Sequence, residues 1–232
     1  FYDAGQKIAS GQGITDNGLA GFFPYLAAYD YTLGFAIKVI SNPWLATILI
    51  NTIFDVGAAT IAYLLIKRLT KPASILPVVA FGVWLLNPLN IVYSVMSLPL
   101  IVVNFFIVAM IFLAYLLSEK ATALKTTPTL VFAVLLGLTI GFGNCFRPIF
   151  TIAILALFLL LLYIFLINER TKKLLLLLGA SFLLIVALFF GIQKLNLSFV
   201  ARETGMTVPS NASGWSVYVG SNWDYDGGWN QA

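Results

Sequence analysis

Apolar and polar positions segregate along this chain into long blocks. Six apolar runs, at about 44–66, 73–87, 97–117, 129–145, 149–167 and 174–193, are separated by short polar connections. A helix needs roughly 20 residues to cross the hydrocarbon core of a bilayer. The blocks therefore predict an all-α polytopic membrane bundle of about six transmembrane helices. The 73–87 run is short by that measure and continues as NPLNIVYS. Pro88 predicts a helix break near the membrane surface, leaving Asn87 and Asn90 there. Irregular backbone at such depth needs protein or a water-filled cavity to cover it. No internal repeat stands out.

Residues 24–41 follow another pattern. Leu26, Tyr29, Leu33, Ile37 and Ile40 form an apolar stripe at helical spacing, while Asp30, Gly34 and Lys38 recur every four residues beside it. The pattern predicts an amphipathic helix on the outer membrane surface. The tilted start of a span is the alternative; charge at the bilayer centre disfavours it by about 3 kcal/mol per residue. The segment before it is polar, acidic and aromatic. It lacks the basic start and short apolar core of a signal peptide, and reads as an outer loop whose preceding span lies upstream of Phe1. The tail from about 195 is rich in Gly, Ser, Asn and Trp, with Trp215, Val217 and Val219 in alternation. It reads as a short strand or extended loop that continues past Ala232. The expected division is an outer loop with an interfacial helix at 1–43, a transmembrane bundle at 44–193 and an outer-face tail at 194–232. Asn211-Ala212-Ser213 fits a glycosylation sequon by pattern alone.

Composition identifies the solvent. Sixty per cent of the 232 residues are hydrophobic and 9% are charged; so little charge cannot cover a soluble domain of this size, and lipid must do so. The net charge of +4 forms no stripe or patch, which argues against nucleic acid as a partner. The basic residues instead mark alternate connections: Lys67, Arg68 and Lys71; Lys120 and Lys125; Arg170, Lys172 and Lys173. These loops are expected inside. The N-terminal loop, the 88–96 turn, the 144–148 turn and the tail then share the outer face. The expected location is a cell membrane, crossed several times. The single cysteine, Cys145, excludes an intrachain disulfide and reads as a packed thiol. The absence of histidine removes His-based triads and the commonest zinc ligand.

Candidate chemistry gathers on the outer face. An outer-loop carboxylate, Asp3, Asp16 or Asp30, is placed to act as a general base toward an acceptor hydroxyl. Arg147, in GNCFRP, is placed to hold a phosphate through a bidentate pair. Each has a plainer reading. Asp16 in ITDNG suits a turn, Asp30 a solvated helix face, Arg147 a side chain that snorkels to headgroups, and Tyr93 a belt aromatic. Asp55 is separate, since it interrupts the 44–66 span. An intramembrane carboxylate is a functional candidate. Polar bundling, with Asn51 one turn earlier as a hydrogen-bond partner, is the structural alternative.

Four segments in order, FYDAGQKIASGQG, GFFPYLAAYDYTLG, LLNPLNIVYSVMS and GLTIGFGNCFRPIF, together with the Gly/Asn-rich tail, resemble a family. It is the polytopic membrane glycosyltransferases of the GT-C fold, in the protein-mannosyltransferase and aminoarabinose-transferase-like group (glycosyltransferase family 39-like). The resemblance spans almost the whole chain. It implies inverting transfer of a sugar from a polyprenyl-phosphate donor to a lipid, glycan or protein acceptor at the outer face of a bacterial cytoplasmic membrane. It implies Asp3 as the nearest match to the catalytic carboxylate, although the family's usual position falls just before Phe1. It implies Arg147, Tyr93, Lys7, Asp30 and Tyr25 as substrate-binding residues. The chain departs from the family where Leu100, not an acidic residue, follows Pro99. No acidic pair has metal-ligand spacing, and no metal or cofactor is expected. Two other classes remain open: a lipid-linked-sugar flippase or other transporter, which would use polar groups near the midplane, and a non-catalytic or polymerase component of polysaccharide assembly.

Overall fold

The computed structural model describes residues 1–14, 24–168 and 171–205, and its regular structure over these residues is helical. Helix α1 spans Tyr2–Ala9, α2 Tyr25–Ile40, α3 Pro43–Leu69, α4 Leu76–Leu85, α5 Pro88–Ser94, α6 Leu100–Thr122, α7 Thr126–Phe146, α8 Thr151–Ile167 and α9 Lys172–Thr204.

Local chemistry sets the ends. The Asn42 side chain accepts from the Leu45 N–H at 3.0 Å, and Pro43 occupies the first turn of α3. Lys67 and Arg68 lie in its last turn, where the helix dipole favours cations. Thr171 accepts from the Leu174 N–H at 3.2 Å to open α9, which closes at Gly205 with φ 65°. Pro88 offers no N–H to continue α4. Asn87 accepts from the Leu89 N–H at 3.1 Å and starts α5, and the two axes bend by 46°.

Helices α3, α6, α7 and α9 are long and apolar enough to cross a membrane, and the bent α4–α5 pair makes a fifth if it is one span. The 149–167 run forms α8, whose 17 residues rise about 26 Å, short of a core about 30 Å thick. Length and composition thus support four or five spans among the described residues. Two expected positions also shift. Asn90 donates to Asp55, the thirteenth of the 27 residues of α3. The break therefore lies beside the middle of that helix and not beside its end. The tail boundary expected at 194 falls inside α9, which runs on to Thr204 because Phe199 and Val200 pack with Ala27 and Tyr31 of α2. Asp16, the sequon and the Trp215–Val219 alternation lie outside the described residues.

Helix α7 is central, flanked by α6 and α9; α3 packs on α6, and α4 packs on α3. A Cβ on Gly141 would stand 2.5 Å from Ile192 Cδ1, so α7 and α9 approach this closely because Gly141 has none. Alternate connections bring Lys67, Arg68, Lys71, Lys120 and Lys125 to one end of the bundle with the start of α9. There Arg68 Nη1 pairs with Glu119 Oε2 at 3.1 Å. At the other end α2 lies over the bundle. Its Tyr29, Leu33 and Ile37 share one core with Ile50, Val102, Leu136 and Ile185. Helix α1 covers α2 in turn. A Cβ on Gly34 would lie 2.6 Å from Ile8 Cγ2, and the Phe1 ring meets Tyr29 edge-on at 5.2 Å.

Candidate functional site

Arg147 and Tyr25 come together where α2 begins and α7 ends. Pro148 disfavours helical backbone at the residue before it, and Arg147 adopts φ −159°, ψ 130°. Its N–H still donates to Gly143 O at 3.2 Å, while its side chain is exposed. Burial raises the Tyr25 phenol above its ordinary pKa, and the Arg147 guanidinium nearby draws it back. A ladder of amides fixes this corner to α9. Asn144 Nδ2 donates to Gln193 Oε1 at 3.0 Å, and Gln193 Nε2 donates to Gly141 O at 2.9 Å. Asn196 Nδ2 reaches Pro24 O at 3.5 Å. Cys145 is a packed thiol, its Sγ 3.4 Å from the Gly141 carbonyl that accepts from it. The arrangement presents a cation beside a phenol at the rim of the bundle, which suits an anionic ligand.

The other expected residues are placed differently. Asp3 is exposed in the first turn of α1, and Lys7 sits one turn later on the same helix, half-buried. Among the described residues, no hydrogen bond or ion pair joins Asp3 to Arg147. Tyr93 is half-buried in α5, and its carbonyl accepts from Asn51. Asp30 is the clear correction. The stripe that reads as a solvated face is 2% exposed at Asp30, because α1 packs across Gly34 on the same face. Burial pushes the Asp30 carboxyl up to about 6.

The broken span carries polar geometry that the sequence shows only in outline. Asp55 Oδ1 accepts from Trp84 Nε1 at 2.8 Å and from Asn90 Nδ2 at 3.0 Å. Asn51 does not bond Asp55 as expected. Its Nδ2 donates to the carbonyls of Tyr93, Ser94 and Met96 at 3.3, 3.1 and 2.9 Å. These carbonyls are released where α5 ends, and one amide serves all three. The signal for this in the sequence is the NPLN break facing a span with polar residues at i and i+4. The partners Trp84 and Met96 carry no such signal. Among the described residues, no three His, Cys, Asp or Glu side chains gather to hold a metal ion. Comparison with protein-family models, curated proteins and solved structures gave no match.

Proposed function

We propose that this chain belongs to a membrane glycosyltransferase that moves a sugar from a polyprenyl-phosphate donor to a lipid, glycan or protein acceptor. The single observation that supports this most is the exposed Arg147 guanidinium beside Tyr25, at the end of the bundle opposite the basic connections. In this reading the α4–α5 pair and α8 each count as spans, giving six in a cell membrane. Helix α2 lies at the outer interface. The Arg147 fork holds the donor phosphate, and the opening of α2 beside it, which has no side-chain cap, adds N–H groups favourable to an anion. An outer carboxylate, Asp3 in this chain, removes the proton from an acceptor hydroxyl as that oxygen attacks the anomeric carbon. The bond to the phosphate breaks with inversion. The polyprenyl phosphate leaves with its new negative charge facing Arg147, which stabilises the transition state.

The experiment is sugar transfer by the protein in proteoliposomes from a radiolabelled polyprenyl-phosphate hexose. Arg147→Ala is expected to weaken donor use at least tenfold, and Arg147→Lys to restore part of it. Undiminished transfer by Arg147→Ala would sink the phosphate role. Unchanged turnover after Asp3→Asn would remove Asp3 as the base. A second reading, a transporter, draws on one specific observation: a carboxylate, Asp55, beside a helix broken at mid-depth. Movement of intact labelled lipid-linked sugar across the vesicle, with no transfer product, favours that reading.

A further inference from the structure

The end of the bundle opposite Arg147 carries charge that the proposed transfer does not use. Along the chain its cations are spread over three connections, and the fold gathers them. Among the described residues there, Glu119 is the one carboxylate, and it is already engaged. It takes Arg68 from α3 at 3.1 Å and Lys120 beside it. Lys67 lies over the Tyr63 ring at 5.7 Å. Lys125, Lys172 and Lys173 are exposed, and no described carboxylate lies within ion-pair distance of them. Glu169 and Arg170, outside the described residues, cancel in charge. Packing brings these lysines around one turn. Leu124 takes φ 53°, and the Lys125 N–H donates to Lys120 O at 3.0 Å, so the α6–α7 connection reverses tightly with both lysines on it. Leu174 follows Lys173 and is 2% exposed in the core that includes Leu117, Ala121 and Ala133, and Leu124 packs against the same core. Lys172 and Lys173 therefore emerge beside the α6–α7 turn.

The depth of this cluster selects its partner. Helices α6 and α9 are both long and apolar enough to cross a membrane. Lys120 lies in the last turn of one, and Lys172 and Lys173 open the other. Charges at the ends of spans lie level with the lipid phosphates, and lysine stems reach that layer along the hydrocarbon. An anionic leaflet attracts such a cluster by about fivefold per cation. We propose that the α6–α7 turn and the start of α9 form a docking surface for the headgroups of acidic phospholipids. Lys120, Lys125, Lys172 and Lys173 supply the charge, with the phosphates of neighbouring lipids as their counterions. Placement at the ends of spans favours lipid over a soluble polyanion. The surface is separate from the Arg147 corner and stands whether or not the chain transfers sugar.

The test compares the purified full chain in nanodiscs of phosphatidylcholine alone and of phosphatidylcholine mixed with phosphatidylglycerol. The acidic lipid is expected to raise the thermal midpoint by about 5 °C at low salt. About half of that gain or more should vanish between about 0.05 and 0.5 M salt. The triple variant Lys125→Gln, Lys172→Gln and Lys173→Gln should lose about half of the gain or more, with its midpoint in phosphatidylcholine within about 2 °C of the wild type. Lys38→Gln with Lys194→Gln, exposed cations outside this cluster, should keep the gain in full. Equal midpoints in the two lipids overturn the proposal. So does a gain that survives in the triple variant, or one lost equally in the Lys38→Gln, Lys194→Gln control. Inorganic phosphate that reproduces the gain in phosphatidylcholine assigns the surface to a free anion and overturns the lipid. Should the triple variant fail to fold, native mass spectrometry of the wild type with equal amounts of both lipids decides. Preferential retention of phosphatidylglycerol supports the surface, and equal retention rules it out.

Discussion

Two carboxylates in this molecule are removed from bulk water by different means. Asp55 sits in the middle of α3, beside the break between α4 and α5, and stays partly exposed. Its Oδ1 receives two N–H donors, from Trp84 and Asn90. Asp30 lies at the end of the bundle under α1, 2% exposed, and its Oδ1 has no partner. The broken span brings two donors to one oxygen of its acid; the α1–α2 layer buries its acid with one oxygen unpartnered. A polar group deep in a bundle is satisfied when an interrupted helix frees backbone and side-chain groups to meet it. A polar group covered by a second layer is left to shift its protonation equilibrium.

Breaking the better-satisfied side has the largest expected effect. Asn51→Ala removes the one amide that serves three carbonyls at the exit of α5. The amide has two N–H donors shared among the three carbonyls, each worth about 1 kcal/mol net, and a buried carbonyl left unpaired costs about 1 kcal/mol or more; the loss is about 3 kcal/mol, read from thermal or denaturant unfolding in detergent. A loss below about 1 kcal/mol would mean that water or rearranged backbone takes over the carbonyls. The effect should be confined to the broken span. Hydrogen exchange should accelerate at residues 93–99 and not in α7.

The poorly satisfied side gives the next effect, with the opposite sign. Asp30 has a folded pKa of about 6 against an ordinary 3.8, so the folded state holds its proton more tightly than the unfolded state does. The stability from that proton is complete below 3.8 and is lost as pH rises through about 6. Asp30→Asn is therefore expected to flatten the stability profile between those values. At pH 7 it should be more stable than the wild type by on the order of 2 kcal/mol. A variant that is less stable than the wild type at pH 7 would mean that a contact of the charged carboxylate outweighs its burial.

The contrast also marks how far the sequence is legible. Apolar run length locates α3, α6, α7 and α9, because lipid imposes a length and a composition that local sequence must meet. The Asn-Pro dipeptide at 87–88 locates the bend, because a missing N–H is a local fact. The burial of Asp30 is not local. Its four-residue stripe looks like the wet face of a surface helix, and only the packing of α1 through Gly5 and Gly34 reverses that. Arg147 is legible as a rim cation from the Arg-Pro pair at a helix end. Its neighbour Tyr25 lies 122 positions away in the sequence, and no periodicity links the two. Asn51 and Asp55 are visible as odd polar residues in a span, but the choice of carbonyls for one and of Trp84 and Asn90 for the other is made by tertiary packing.

The cover itself can be pried off with a smaller change. A methyl group on Gly34 would fall 2.6 Å from Ile8 Cγ2 and 3.1 Å from Gly5 O, so Gly34→Ala must push α1 away from α2. Overpacking of this kind costs about 1–3 kcal/mol; since α1 is one short helix at the edge, a value near 1 kcal/mol is expected. Asp30 should then become accessible, and its titration should move down toward the ordinary carboxylate value as burial is relieved. An unmoved titration with a displaced α1 would show that α2 and the bundle alone bury the acid.

Asp55→Asn should change stability least and discriminate function most. The asparagine oxygen can still accept from Trp84 Nε1 and Asn90 Nδ2, so only the charge is lost, with an expected cost below about 1 kcal/mol. If Asp55 serves as a stitch for the broken span, this variant retains whatever transfer the wild type performs. If Asp55 carries a proton or cation during transport, the same variant folds normally and loses coupled flux, because charge and not hydrogen-bond geometry is then the requirement. Measuring transfer and flux on one preparation of Asp55→Asn therefore separates the two uses of a mid-bundle carboxylate without the ambiguity of an unfolded protein.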